Sequence, residues 1–250
     1  MSLEIMEFVW NNIKSEAQIL VDSEYMCSQL LWDMLLKHKD LSDVLTCILA
    51  YKLCSTIMSF QEMMILIKES YSNDPEIVLC AARDIHAIWL RDPAVDKYCV
   101  PVLYFKGFHA LQAYRISHWL WKNNRRLLAL YFQSRIACIF SVDVHPAASI
   151  GSGVIFDHAT GIVIGETAIV EDDVSILQFV TLGGRGDKVI GDRHPKIRMG
   201  VMIGAGAIIL GNIEIGCYAK VGAGSVVLHS VPAYTTVAGN PAKVVVGGKN

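Results

Sequence analysis

From Val144 onward an aliphatic residue or Phe returns at every sixth position: Val144, Ile150, Phe156, then Ile164, Val170, Ile176, Leu182, then Ile197, Ile203, Ile209, Ile215, Val221 and Val227. Four positions after most of these anchors stands a small or β-branched residue, among them Ala148, Val154, Thr160, Ala168, Ala207, Ala219 and Ser225. A period of six fits neither the 3.6 of a helix nor the alternation of a single strand, and hexapeptide repeats are a parallel β-helix signature. Three hexads complete one triangular coil: the anchor points into the prism, the small residue closes the corner, and Gly, as at Gly151, Gly165 and Gly204, stands where a Cβ would clash. In a chain that is 53% hydrophobic one apolar column is weak, but the matched second column makes the pattern structural.

The first 140 residues read as helices. Ile5, Phe8, Val9 and Ile13 share one helical face, and Asp74-Pro75-Glu76 is a start signal for a helix running to about Arg91 that buries Ile77, Cys80, Ile85, Ile88 and Trp89. Asp92-Pro93 reads as a second start, with Asp92 as N-cap, and Phe108 to Trp121 and Leu127 to Phe140 as two further helices. No low-complexity linker separates the halves. The repeat is interrupted twice: Phe156 to Ile164 spans eight residues, and Leu182 to Ile197 spans fifteen and is rich in Gly and charge. A loop of that length is expected to project from the prism wall and to carry function.

Composition narrows the functional classes. A net charge of −2 offers no polybasic surface for nucleic acid or an anionic membrane. Glu4 and Glu7 stand where a signal peptide would be basic then apolar, and the charge-free run Val221 to Ala242 is broken by Gly, Pro and polar residues. Seven cysteines without a C-x-x-C pair suit a reducing cytosol, where most would be buried small hydrophobes. A cytoplasmic protein is expected, and its mean hydropathy of +0.39 with 18% charged residues points to an oligomer.

Among candidate chemical groups, His158 follows an anchor by two positions, beside Asp157 and the small insertion. Asp143, fifteen residues earlier, falls near one strand spacing (~4.8 Å) below it and part of a face away. A carboxylate there could hold the imidazole's tautomer and leave the other nitrogen as a general base; a turn role for either residue is the plain alternative. Arg193 and His194 in the long loop could bind a carboxylate. His145 reads as a turn cap, His229 as unremarkable and Cys217 as unreactive, and no H-x-x-x-H spacing supports a metal. The coil alone also admits an amino-sugar acceptor, a zinc enzyme or a non-catalytic scaffold.

The motifs Val142-Asp143-Val144-His145-Pro146-Ala147-Ala148, Asp157-His158-Ala159-Thr160-Gly161, Gly191-Asp192-Arg193-His194-Pro195-Lys196-Ile197 and Ala238-Gly239-Asn240-Pro241-Ala242-Lys243 add to this. With Asp92-Pro93-Ala94-Val95-Asp96-Lys97-Tyr98 and Gly107 to Arg115 in the helical half, the chain resembles bacterial serine O-acetyltransferases over nearly its whole length. The resemblance implies an α+β fold: an N-terminal all-helical oligomerisation domain, 1–140, then a left-handed parallel β-helix of hexapeptide repeats, 141–250, with a projecting loop, 183–196. It implies acetyl transfer from acetyl-CoA, a co-substrate, to the hydroxyl of L-serine, with no metal. His158 would be the base and Asp143 its orienting group; Arg193 and His194 would take the substrate carboxylate, Asp92 and Asp157 its ammonium. The Gly184 N–H is our candidate oxyanion donor, and Ala205 and Ala223 would leave a groove for CoA. Trimers with sites at subunit contacts, joined as hexamers by the helical halves, and inhibition by L-cysteine are further implications. The segment Arg185 to Ile190 departs from the family pattern. So does the ending Val246-Gly247-Gly248-Lys249-Asn250, without the Ile-terminated tail that docks into O-acetylserine sulfhydrylase: that partner stays possible, and either the tail has been removed or the complex does not form in the usual way.

Overall fold

The computed structural model describes residues 2–186 and 190–246, with side chains for 4–186 and 190–245. Part of the divergent loop segment, 187–189, and the final residues 247–250 lie outside the described residues. Eight α-helices come first: α1 Ser2–Ser23, α2 Ser28–Leu31, α3 Leu41–Leu53, α4 Phe60–Asn73, α5 Glu76–Arg91, α6 Cys99–Tyr104, α7 Lys106–Lys122 and α8 Arg126–Phe140. Ser141 leaves α8 in the left-handed conformation and turns the chain into a three-faced parallel β-helix. Face A stacks β1 Val142–Val144, β4 Ile162–Ile164, β7 Thr181–Gly183, β10 Ile208–Leu210 and β13 Val226–Val227. Face B stacks β2 Ser149–Ile150, β5 Ile169–Val170, β8 Lys196–Ile197 and β11 Glu214–Ile215. Face C stacks β3 Ile155–Phe156, β6 Ser175–Ile176, β9 Met202–Ile203, β12 Lys220–Val221 and β14 Thr236–Gly239, and ends in an antiparallel hairpin with β15 Ala242–Val246.

Register shows how each interruption is absorbed. Val142 pairs with Ile162 and Ser149 with Ile169, so the first coil takes 20 residues. Ile164 pairs with Leu182, an ordinary coil of 18, whereas Ile169 pairs with Lys196 and Ser175 with Met202, a coil of 27. The anchors fill the prism: Val144, Phe156, Ile164, Val170, Ile176, Leu182 and those after them are buried, and only Ile150, under the helices, is half-buried.

The helical half seals the first coil's open edge. A coil at the end of a solenoid has unpaired carbonyls, and an unpaired sheet edge is a liability. Here Tyr114 Oη donates to Ala148 O, a His118 ring nitrogen meets Pro146 O at 2.7 Å, and Arg115 donates to Ile150 O and Gly151 O at 3.3 and 2.8 Å. Asp84, fully buried, accepts from Arg115 Nη2 at 2.7 Å, Gln112 Nε2 at 2.9 Å and the Val154 N–H at 3.0 Å. Gly107 lets α7 close on β3, because a Cβ there would stand 1.9 Å from Phe156 O. One hydrophobic core therefore runs unbroken from helices to prism.

Several helical expectations need correction. Asp92 starts no helix: Pro93 drives the residue before it out of the helical region, Asp92 sits at φ −95° and ψ 107°, and the next helix begins at Cys99. Its carboxylate instead accepts the Ala94 N–H at 2.9 Å, closing a turn. Asp74 offers α5 its carbonyl, to Ile77 N, and no side-chain cap forms. Trp89 is exposed, stacked on Tyr98 at 5.0 Å, and Phe8 is exposed too. Of the cysteines only Cys99 is buried; Cys138 is exposed and the rest half-buried.

Candidate active site

The two-residue insertion is a bulge at the corner from face C to face A. Asp157 N–H still pairs with Ile176 O at 2.8 Å, and Thr160 is back in register, its carbonyl accepting Phe179 N–H at 2.8 Å. Between them His158 and Ala159 take φ of 56° and 60°, two successive left-handed residues. Such backbone is sparsely populated for residues with a Cβ, and here it throws the His158 ring clear of the wall, 72% exposed. Its nearest charged neighbour is Asp157, 3.7 Å from Nε2. The next coils place Gln178, Ala205 and Ala223 at the same corner, linked by Gly206 N–H to Gln178 O and Gly224 N–H to Ala205 O, both 2.8 Å. His158, Ala205 and Ala223 thus share one edge, at about 4.8 Å per coil.

Asp143 sits at the middle of β1, pointing out from face A. Gly161 N–H donates to Ser141 O, so the foot of the bulge lies two residues from Asp143 along the strand. The carboxylate accepts Gln133 Nε2 at 2.7 Å, and no hydrogen bond joins it to His158 in this chain. Asp157 follows β3 at the exit of face C, while Asp92 follows α5 directly after Arg91, whose guanidinium is bonded at the entry to that face.

Arg193, His194 and Gly184 occupy the opposite border of face A, at its corner with face B. They line a cleft of about 520 Å³ with Arg185, Asp192, Gly211 and Asn212. The His194 ring is buried against the corner one coil below. Thr167 holds it: the hydroxyl accepts the N–H groups of Arg193 and His194 at 3.0 and 3.1 Å, and hydroxyl and backbone N–H both reach Nδ1, at 2.8 and 3.1 Å. Because Nδ1 accepts, the neutral ring carries its proton on Nε2. Burial, reinforced by Arg193, pulls the His194 pKa below the ordinary imidazole value. Gly165 makes room, since a Cβ there would lie 2.1 Å from Cδ2 and Nε2 of that ring.

Arg193 pairs with Glu166 at 2.7 Å, a hydrogen bond that holds the Glu166 carboxyl below the usual carboxylate range. His145 closes the turn at the same corner one coil lower, accepting Ala147 N–H on Nδ1 at 3.1 Å. Sequence reasoning missed Glu166 and Thr167; the available signal was their place directly after the Ile164-Gly165 anchor pair, one coil below the long loop.

Residues 9–113 match the family described as serine acetyltransferase, N-terminal. A serine acetyltransferase of Escherichia coli K12 is 60% identical over 245 residues, 98% of this chain and 89% of that one. A serine acetyltransferase solved in complex with CoA superposes with a TM-score of 0.92 at 54% identity, covering 98% of this chain and all of that one. Another, in complex with cysteine, gives 0.93 at 56%, covering 95% and 98%. Fold and relatives together place the protein among the acyltransferases that use acetyl-CoA. Within that class, the chain belongs to the serine acetyltransferase family.

Proposed function

We propose that this protein transfers acetyl from acetyl-CoA to the hydroxyl of L-serine, with His158 as general base. The observation that carries the reading is the strained bulge that presents an exposed imidazole on the edge bearing Ala205 and Ala223. A serine hydroxyl is a poor nucleophile at neutral pH, and imidazole is the side chain whose ordinary titration range suits removal of its proton as the C–O bond forms. Asp143, near the foot of the bulge, would orient the ring, on releasing Gln133. The substrate carboxylate would meet Arg193 and the His194 Nε2–H, its ammonium Asp92 and Asp157, and the oxyanion the Gly184 N–H. CoA would lie along Ala205 and Ala223, small residues at which the arm can approach the backbone.

Within one chain the His158 edge and the Arg193 edge stand on opposite borders of face A, whose outer surface exposes Val163 and Ile208. Head-to-tail packing of one edge on the next subunit's other edge closes a ring when repeated three times, and completes each site from two subunits. The helical halves would then pair two trimers. L-cysteine, differing from L-serine by sulfur for oxygen, would compete for the same groups, in the cytoplasm, where cysteine synthesis supplies it. Among the described residues no helix is long and apolar enough to cross a membrane.

The test is thiol release from acetyl-CoA by the purified chain with L-serine, with amino sugars, and with added L-cysteine. Serine-dependent release suppressed by cysteine is expected, and His158→Asn, whose side chain tolerates the left-handed backbone, should lower kcat by about 10²–10⁴ with the hexamer intact. Release with an amino sugar but not serine overturns the substrate, and full activity of His158→Asn overturns the base.

A further inference from the structure

Arg91 is the last residue of α5, next to Asp92, and its guanidinium reaches two successive coils. Nη2 donates to Gly153 O, and Nη1 to Asp173 O and, at 3.2 Å, to Ser175 Oγ. Gly153 leads into β3, and Asp173 and Ser175 stand at the equivalent place one coil higher, where β6 begins. One planar fork therefore bolts the end of the helix to the entry of face C.

The exit of the same strand carries Asp157 and His158, held by Ile155 N–H to Val174 O at 2.9 Å and Asp157 N–H to Ile176 O at 2.8 Å. Asp92 follows Arg91 directly, and one of its oxygens, Oδ1, is committed to the Ala94 N–H. Its backbone is thus held on both sides: by the Arg91 anchor to the entry of face C before it and by its own turn after it. The second carboxylate oxygen is left for an incoming cation.

We propose that Arg91 is a positioning residue for the amino-acid ammonium: by bridging coils it fixes Asp92 relative to Asp157, and without it the two carboxylates lose their shared geometry. The inference rests on the reading that these carboxylates hold the ammonium of L-serine. Lysine cannot substitute, because a point charge on a flexible stem cannot span two carbonyls and a hydroxyl as a fork does.

The experiment is steady-state kinetics of Arg91→Lys against the unsubstituted protein, with L-serine and with 3-hydroxypropionate, which keeps the carboxylate and hydroxyl and lacks the amine. The second compound is measured as acceptor or, where turnover is too slow, as competitive inhibitor. The KM for L-serine should rise roughly tenfold or more while kcat and the KM for acetyl-CoA change less than about twofold, the pattern of a binding interaction made equally in the ground and transition states. The constant for 3-hydroxypropionate should be the same in both proteins. A merely structural role would weaken the two compounds alike, and that result, or an unchanged KM for L-serine, overturns the proposal. Absence of serine turnover in the unsubstituted protein overturns the underlying reading instead.

Discussion

Most polar groups at the Arg193 edge are tied down, and the ties identify which substitutions would injure chemistry without touching the fold. Thr167 presents three hydrogen-bonding contacts to the Arg193-His194 segment through one hydroxyl and adds its backbone N–H, so the His194 ring has one orientation and one tautomer. Gly165 is the space that orientation requires. Gly165→Ala should push the ring off Thr167 and lower kcat/KM for L-serine by roughly tenfold or more, since misplacement of about 1 Å at a binding group is enough for losses of that order. Full activity of the purified variant would mean that His194 does not act from the position described. At the other edge, His158 and Ala159 stay left-handed because Asp157 and Thr160 on either side are locked into the ladder, leaving the bulge no register to slip into.

At the scale of elements, the helices are joined to the β-helix by a polar seam laid along the first coil. Asp84→Ala would leave the Arg115 guanidinium buried without its carboxylate and the Val154 N–H without an acceptor, and breaking a buried pair in this way costs about 3–5 kcal/mol. Denaturant unfolding should show that loss, and a change under about 1 kcal/mol would mean the seam is not a structural cap. The hexads were legible because each anchor is specified locally, by its own six residues. The seam was not, because it joins residues such as Tyr114 and Ala148 that no sequence period relates. Asp92 was misread because an aspartate before a proline serves a helix start and a turn equally well, and the choice fell to the conformational demand of Pro93. The relation of Asp143 to His158 was legible only in outline: the insertion lengthens the first coil to 20 residues, so the register partner of Asp143 is Val163, and His158 stands in that same upper coil, at the corner before it.

At the scale of the molecule, the candidate residues fall into two sets that one chain does not bring together. His158, Asp157, Ala205 and Ala223 lie on or beside one border of face A, and Gly184, Arg193 and His194 lie on the other. If each site is built from one subunit's His158 edge and its neighbour's Arg193 edge, two inactive variants can rescue each other. In a ring of three assembled at random from equal amounts of His158→Asn and Arg193→Ala chains, a site is intact wherever an unaltered His158 edge meets an unaltered Arg193 edge, which holds for about one quarter of contacts. Each variant assembled alone should be nearly silent, and the mixture, unfolded and refolded together, should recover about a quarter of the unsubstituted serine-dependent activity. The two variants refolded separately and then mixed should recover much less, because intact rings do not exchange edges. Sites contained within single chains give no recovery under either protocol, since every chain then carries one lesion of its own.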